Sequence, residues 1–117
     1  MTIATIAEHF STGRFQDVYD LISNDAVWTV VGENEFSGKE AIVRNCEQVG
    51  AYFESVTTKF TVERIIASEN SVVVCGTAEF IRNRKTVSFI SACDVYEFDI
   101  NGKILTIKSY CISQKPR

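Results

Sequence analysis

A single histidine in 117 residues leaves this chain almost no imidazole chemistry. A metal site built from imidazoles is excluded, as is a serine or cysteine nucleophile with a histidine base, unless His9 itself serves. Proline is as scarce, and the one present, Pro116, belongs to a tail expected to fray. Cys46, Cys75, Cys93 and Cys111 are widely spaced with no CxxC, which excludes the usual zinc-ligand pattern. Lying in apolar surroundings, they read as reduced, small core residues rather than disulfides or metal ligands. Long apolar runs are missing too. No stretch of eighteen apolar residues occurs, and MTIATIAEHF has neither the basic flank nor the cleavage pattern of a secretory signal, so the expectation is a cytoplasmic protein that meets no membrane. There is no excess of positive charge: twelve Lys and Arg stand against fifteen Asp and Glu. The one basic cluster, Arg82-Asn83-Arg84-Lys85, is short and reads as a solvated hairpin tip, so nucleic acid is not an expected partner.

What is present suits one ordinary globular domain over residues 1–117, long enough to hide roughly two-thirds of its unfolded surface. Ile3, Ile6, Ala7 and Phe10 recur at helical spacing, and Gly13 follows as a stop. Phe15, Val18, Tyr19 and Ile22 repeat that spacing and predict a second helix, closed by Ser23-Asn24-Asp25. Ala26 to Val31 is β-branched and aromatic, a strand with Trp28 and Val30 on one face. After a turn and a short strand, Ser37-Gly38-Lys39-Glu40 reads as a capping box opening a third helix, whose stripe is Ile42, Cys46, Val49 and Phe53. Four long β-rich runs follow, Thr58 to Ser68, Val72 to Arg82, Lys85 to Phe98 and Lys103 to Ser113. They are separated by Glu69-Asn70-Ser71, Asn83-Arg84 and the hairpin signal Asn101-Gly102, and such short turns imply antiparallel neighbours. The order α-α-β-β-α-β-β-β-β is that of an α+β domain with helices covering one face of an antiparallel sheet.

One residue violates the pattern. Along the third of those runs Ile90, Ala92, Asp94, Tyr96 and Phe98 share a face, so an acid stands beside two aromatics. If that face is internal, the carboxylate loses hydration at a cost of several kcal/mol unless it is hydrogen-bonded, paired or protonated. Three roles fit: an acid or base with a pKa raised by burial, an anchor for a ligand's polar end, or a structural carboxylate bonded to Ser109 or a neighbouring hydroxyl. Acid–base chemistry of this kind requires no cofactor. With the same inward parity, Phe10, Trp28, Val30, Cys46, Val49, Phe53, Tyr96 and Cys111 would line a cavity or simply fill a core, and His9 is the one candidate helper. Phe89, Val95, Tyr110 and Ile112 fall on the opposite face, an apolar patch that predicts a homodimer through the sheet.

The order of elements also resembles the nuclear-transport-factor-2-like (NTF2-like) superfamily, in particular its SnoaL-like and ketosteroid-isomerase-like branch. The resemblance is carried by Gly13-Arg14-Phe15-Gln16-Asp17, Tyr19-Asp20-Leu21-Ile22, Asn24-Asp25-Ala26-Val27-Trp28, Phe36 to Ile42, Val95-Tyr96-Glu97-Phe98 and Asn101-Gly102-Lys103-Ile104. It implies a curved sheet wrapped into a cone around the helices, with an apolar cavity open at one end. It also implies that Asp94, with Tyr96 and Phe98 after it, corresponds to the pocket acid that holds a substrate oxyanion. In the same comparison the family's catalytic base falls on Val30, or on Thr29 with a one-residue shift. Its tyrosine donors fall on Ile6 and Cys46, and the arginine flanked by aspartates of limonene-epoxide-hydrolase-like members has no counterpart. The resemblance implies a protein that binds a small hydrophobic carbonyl compound, acting as a cofactor-independent isomerase or cyclase, or else a non-catalytic binding or association module.

Overall fold

The first helix is set by its cap and its stripe. In the computed structural model, which describes residues 1–114, α1 (Ile3–Ser11) begins where the Thr2 hydroxyl accepts from the Thr5 amide, and it buries Ile6, Ala7 and Phe10. Gly13 ends it with φ near +81°, a conformation that L side chains rarely adopt, and lets the chain pass against Phe53 and Phe60. The next segment departs from expectation. Phe15–Leu21 is a 3₁₀ helix that buries Phe15 and Val18, three residues apart on one face. It is also shorter than expected. Ile22 already belongs to β1 (Ile22–Val30), buried and paired with Ile104, so Ser23-Asn24-Asp25 lies within a strand rather than closing a helix.

Strand β2 (Asn34–Ser37) pairs antiparallel with β1, with Ser37 opposite Val27, and this removes the capping box. Gly38 takes the N-cap position of α2 (Lys39–Ser55) at φ +91°, with its amide donating to the Ala26 carbonyl at 2.7 Å, and no side chain caps the helix. Ser37 is held in the strand. The stripe of α2 then buries Ile42 and Cys46 completely, with Val49 and Phe53 packed against them.

Strands β3 (Thr57–Ser68), β4 (Ser71–Arg82), β5 (Lys85–Phe98) and β6 (Ile104–Gln114) form the expected antiparallel meander, and the sheet order is β2-β1-β6-β5-β4-β3. One pair is not antiparallel. β1 lies parallel to β6, which the long connection through α2 and the meander permits and which no short turn could have revealed. Between Val62 and Arg64 the β3–β4 register shifts, and there Gly76 lets the two backbones approach so closely that a methyl group on Gly76 would stand 2.2 Å from the Thr61 carbonyl oxygen. The bend carries the sheet around the helices.

The core is built from Ile6, Phe10, Ile22, Ile42, Tyr96 and Ile107, among others, from α1, α2 and the inner sheet face. All four cysteines are free, but only Cys46 is a core residue. Cys75 and Cys93 sit opposite each other in register, half-buried, with their sulfurs 3.5 Å apart, while Cys111 is exposed. Cys75 and Cys93 alternate with the inward Val74 and Asp94, so they stand on the outer face. Asn83 and Arg84 make the expected two-residue turn, both at positive φ and exposed. Pro116 lies outside the described residues.

Candidate functional site

Strand alternation brings Asp94 to the inner face, opposite Val74 of β4 and Ser109 of β6. The final residue of α1, Ser11, reaches it: the Ser11 hydroxyl donates to Asp94 Oδ2 at 2.7 Å and lies 2.6 Å from the hydroxyl of Tyr96. Tyr96 is wholly buried. Its only hydrogen-bond partner among the described residues is Ser11, so its proton must point there, and Ser11's own proton is then committed to Asp94. A second chain converges from the other side. Trp28 Nε1 donates to Ser109 Oγ at 3.0 Å, and Ser109 stands opposite Asp94 in register, where its hydroxyl favours the ionised carboxyl. Indole N–H can only donate, so Ser109 Oγ accepts from Trp28 and its own proton is free to turn toward the carboxyl. Asp94 is an acceptor.

Burial drives the Asp94 pKa above the usual carboxylate range, and the hydroxyls of Ser109 and Ser11 offset that rise only in part. Tyr96 is pushed well above its ordinary value by burial and by the charge of Asp94, so it stays a neutral donor. Cys111 is also raised, by burial first and then by Asp94 and Glu33, which keeps its thiol protonated and poorly nucleophilic.

The open side of Asp94 faces a cavity of about 240 Å³. That volume exceeds the ~150 Å³ known to hold one benzene ring and falls below the ~300 Å³ where pockets for drug-sized ligands begin. By volume it matches a ring-sized molecule rather than a steroid skeleton. Phe10, Trp28, Val30, Val49, Phe53, Asp94, Ser109 and Cys111 all line it. Three expected residues do not. Tyr96 lies in the core and reaches the site only through Ser11. Cys46 is packed in the core and borders a separate hollow with Tyr19 and Glu47, because it occupies the flank of α2 turned away from the cavity. His9 is absent from the wall, and its Nδ1 lies 3.3 Å from Asp17 Oδ2, without hydrogen-bond geometry.

The wall also contains residues that sequence reasoning missed, chiefly Ser11, Asn45, Phe60 and Phe80. Ser11 follows a buried phenylalanine at a helix end, and its one signal was that a buried tyrosine hydroxyl needs a partner. At the position corresponding to the family's base, Val30 presents only an apolar surface to the cavity, while Thr29 donates to Glu35 at 3.3 Å elsewhere. Asp94 is the sole acidic residue among the described wall residues, and none of them is a lysine, arginine or histidine.

Known proteins carry the same architecture. An NTF2-like protein of unknown function from Cytophaga hutchinsonii is 32% identical, with a TM-score of 0.83 over 92% of this chain and 94% of the other. An LEH-like epoxide hydrolase of M. tuberculosis is 21% identical, with a TM-score of 0.70 over 94% and 82%. A putative SnoaL-like polyketide cyclase from Shewanella putrefaciens is 13% identical, with a TM-score of 0.71 over 92% and 75%. At those lower identities the likeness speaks for the fold alone. Among curated proteins no match was found. Residues 3–107 match the SnoaL-like domain, and with this the chain belongs to the SnoaL-like family of the NTF2-like superfamily.

Proposed function

We propose that the protein binds a small, ring-sized hydrophobic carbonyl compound in the cavity and acts on it as a cofactor-independent isomerase or cyclase, with Asp94 as general base. One observation carries this reading: a carboxyl with a raised pKa, accepting from Ser11 and flanked by the Ser109 hydroxyl, opens onto an otherwise apolar cavity. An acid meant to give a proton would be surrounded by acceptors. Here the neighbours donate, which favours Asp94 taking a proton from an activated carbon and returning it elsewhere. Raising its pKa strengthens it as a base near neutral pH.

The test is α-proton exchange. In deuterated buffer the protein should accelerate deuterium uptake at the methyl group of acetophenone, read by proton NMR, by about 100-fold or more over buffer, the lower range of general-base catalysis. Asp94→Asn should abolish the acceleration. Exchange at the buffer rate in the wild type, with the pKa of Asp94 unmoved by the ketone, would sink the enzyme reading.

A second reading has its own support on the outer sheet face, where Tyr110 is 44% and Ile112 68% exposed, with Phe89 and Val95 in neighbouring positions. The proposal here is pairing of two copies through that face, whether or not the cavity is catalytic. Sedimentation should give a dimer for the wild type and a monomer for Ile112→Glu. A monomeric wild type at tens of micromolar would dispose of it. The free cysteines suit a reducing compartment, which supports placing the protein in the cytoplasm.

A further inference from the structure

A base that removes a proton from a carbon beside a carbonyl leaves an enolate oxygen, and that charge needs a donor within the same apolar space. No described wall residue is a cation, so the donor must be a neutral polar group. The Ser11 hydroxyl donates to Asp94, and Ser109, whose oxygen accepts from Trp28, stands opposite Asp94 and favours its ionised form, so its proton is drawn to the carboxyl rather than to a ligand. Thr12 donates to the Glu8 carbonyl at 2.7 Å. Thr61 and Thr77 border the cavity, but they face each other across β3 and β4 in the register that alternates with the inward Phe60, Val62 and Ala78, which turns their hydroxyls to the outer face. The thiol of Cys111 is a weak donor. Asn45 remains. It lies one turn from both Ile42 and Val49 on the inward side of α2 and lines the cavity half-buried. Its side chain makes no hydrogen bond among the described residues.

We infer that the side-chain amide of Asn45 is the group that receives the ligand's carbonyl oxygen, donating to it in the ground state and more strongly to the enolate oxygen. The assignment rests on the carbonyl reading above. It divides the labour of the site between two elements: β5 supplies the acceptor of the proton, and α2 supplies the donor for the oxygen. It also defines the substrate more closely, as a molecule whose carbonyl oxygen turns toward α2 while the acidic C–H turns toward β5. An amide suits the task in an apolar cavity because it offers two N–H donors without a buried charge.

The probes are acetophenone and its hydrocarbon isostere isopropenylbenzene, titrated by calorimetry and followed by the ¹⁵N signals of the asparagine side chains. In the wild type, acetophenone should bind about five-fold tighter than the hydrocarbon, the worth of one neutral hydrogen bond, and the Asn45 amide signal should shift with the ketone only. Asn45→Leu should erase the preference while keeping hydrocarbon binding. If both probes bind but the ketone preference survives in Asn45→Leu, or the wild type shows none, the Asn45 assignment is overturned and the cavity reading stands. If neither probe binds the wild type, both fall together. The amide signal is read in the wild type, so a variant that fails to fold does not rescue the assignment.

Discussion

Replacing Gly76 by alanine should destabilise the protein by about 3 kcal/mol or more, or prevent it from folding, although only one methyl group is added in the middle of a strand. The new carbon would stand 2.2 Å from the Thr61 carbonyl oxygen and 3.2 Å from the Thr61 carbonyl carbon and Val62 Cα, and all three atoms belong to the backbone of β3. A side chain can rotate away from such an intrusion; a paired strand cannot. Relief would require β3 to lift from β4 at the register shift that bends the sheet, which would open the wall containing Phe60, Val62, Val74 and Ala78. Gly50 provides the contrast. It sits inside α2 with nothing within 4 Å of an added methyl group, so Gly50→Ala should gain about 0.5–1 kcal/mol from helix propensity. Urea denaturation of both variants checks the pair. Equal stability for Gly76→Ala and the wild type would mean that β3 and β4 do not approach at this point as described.

Legibility in the sequence followed the range of each interaction. The meander was legible because its turns are local: Asn83-Arg84 and Asn101-Gly102 mark hairpins by their own chemistry, and the inward parity of β5 is a simple alternation. Asp94 was legible for the same reason, since a lone acid on an aromatic face stands out without any partner being known. What escaped depends on contacts between distant segments. The parallel pairing of β1 with β6 joins Ile22 to Ile104, and that pairing converts a helical spacing of apolar residues into a 3₁₀ turn and an early strand. The capping box was present in residue types, yet Ser37 was taken by its pairing with Val27. Ser11 and Asn45 are ordinary helix residues until the fold brings them to the cavity. Helical spacing located a flank for His9 and not what the flank faces, which here is Asp17.

The pH dependence of stability should carry the signature of Asp94, with a sign opposite to that of a salt-bridged carboxylate. Burial holds its pKa in the folded protein above the value of about 3.9 expected in the unfolded chain. Below about pH 4 both states are protonated and the group costs nothing. As pH rises from there toward the folded pKa, the unfolded chain releases its proton first, so unfolding is favoured and stability falls; above the folded pKa the loss is constant. Asp94→Asn removes this dependence while retaining a carbonyl oxygen that Ser11 can reach. The stability of the variant relative to the wild type should therefore climb with pH from about 4, at no more than about 1.4 kcal/mol per pH unit, and level off at the folded pKa. Denaturation of both proteins across pH 3 to 9 measures it. A flat difference would mean that the carboxyl is not perturbed, and a falling one would mark a structural carboxylate stabilised by its serine donors. The same ionisation turns on the base, so α-proton exchange should rise over the window in which stability falls. A protein that kept Asp94 only for stability would have no reason to tolerate that loss, since asparagine would avoid it.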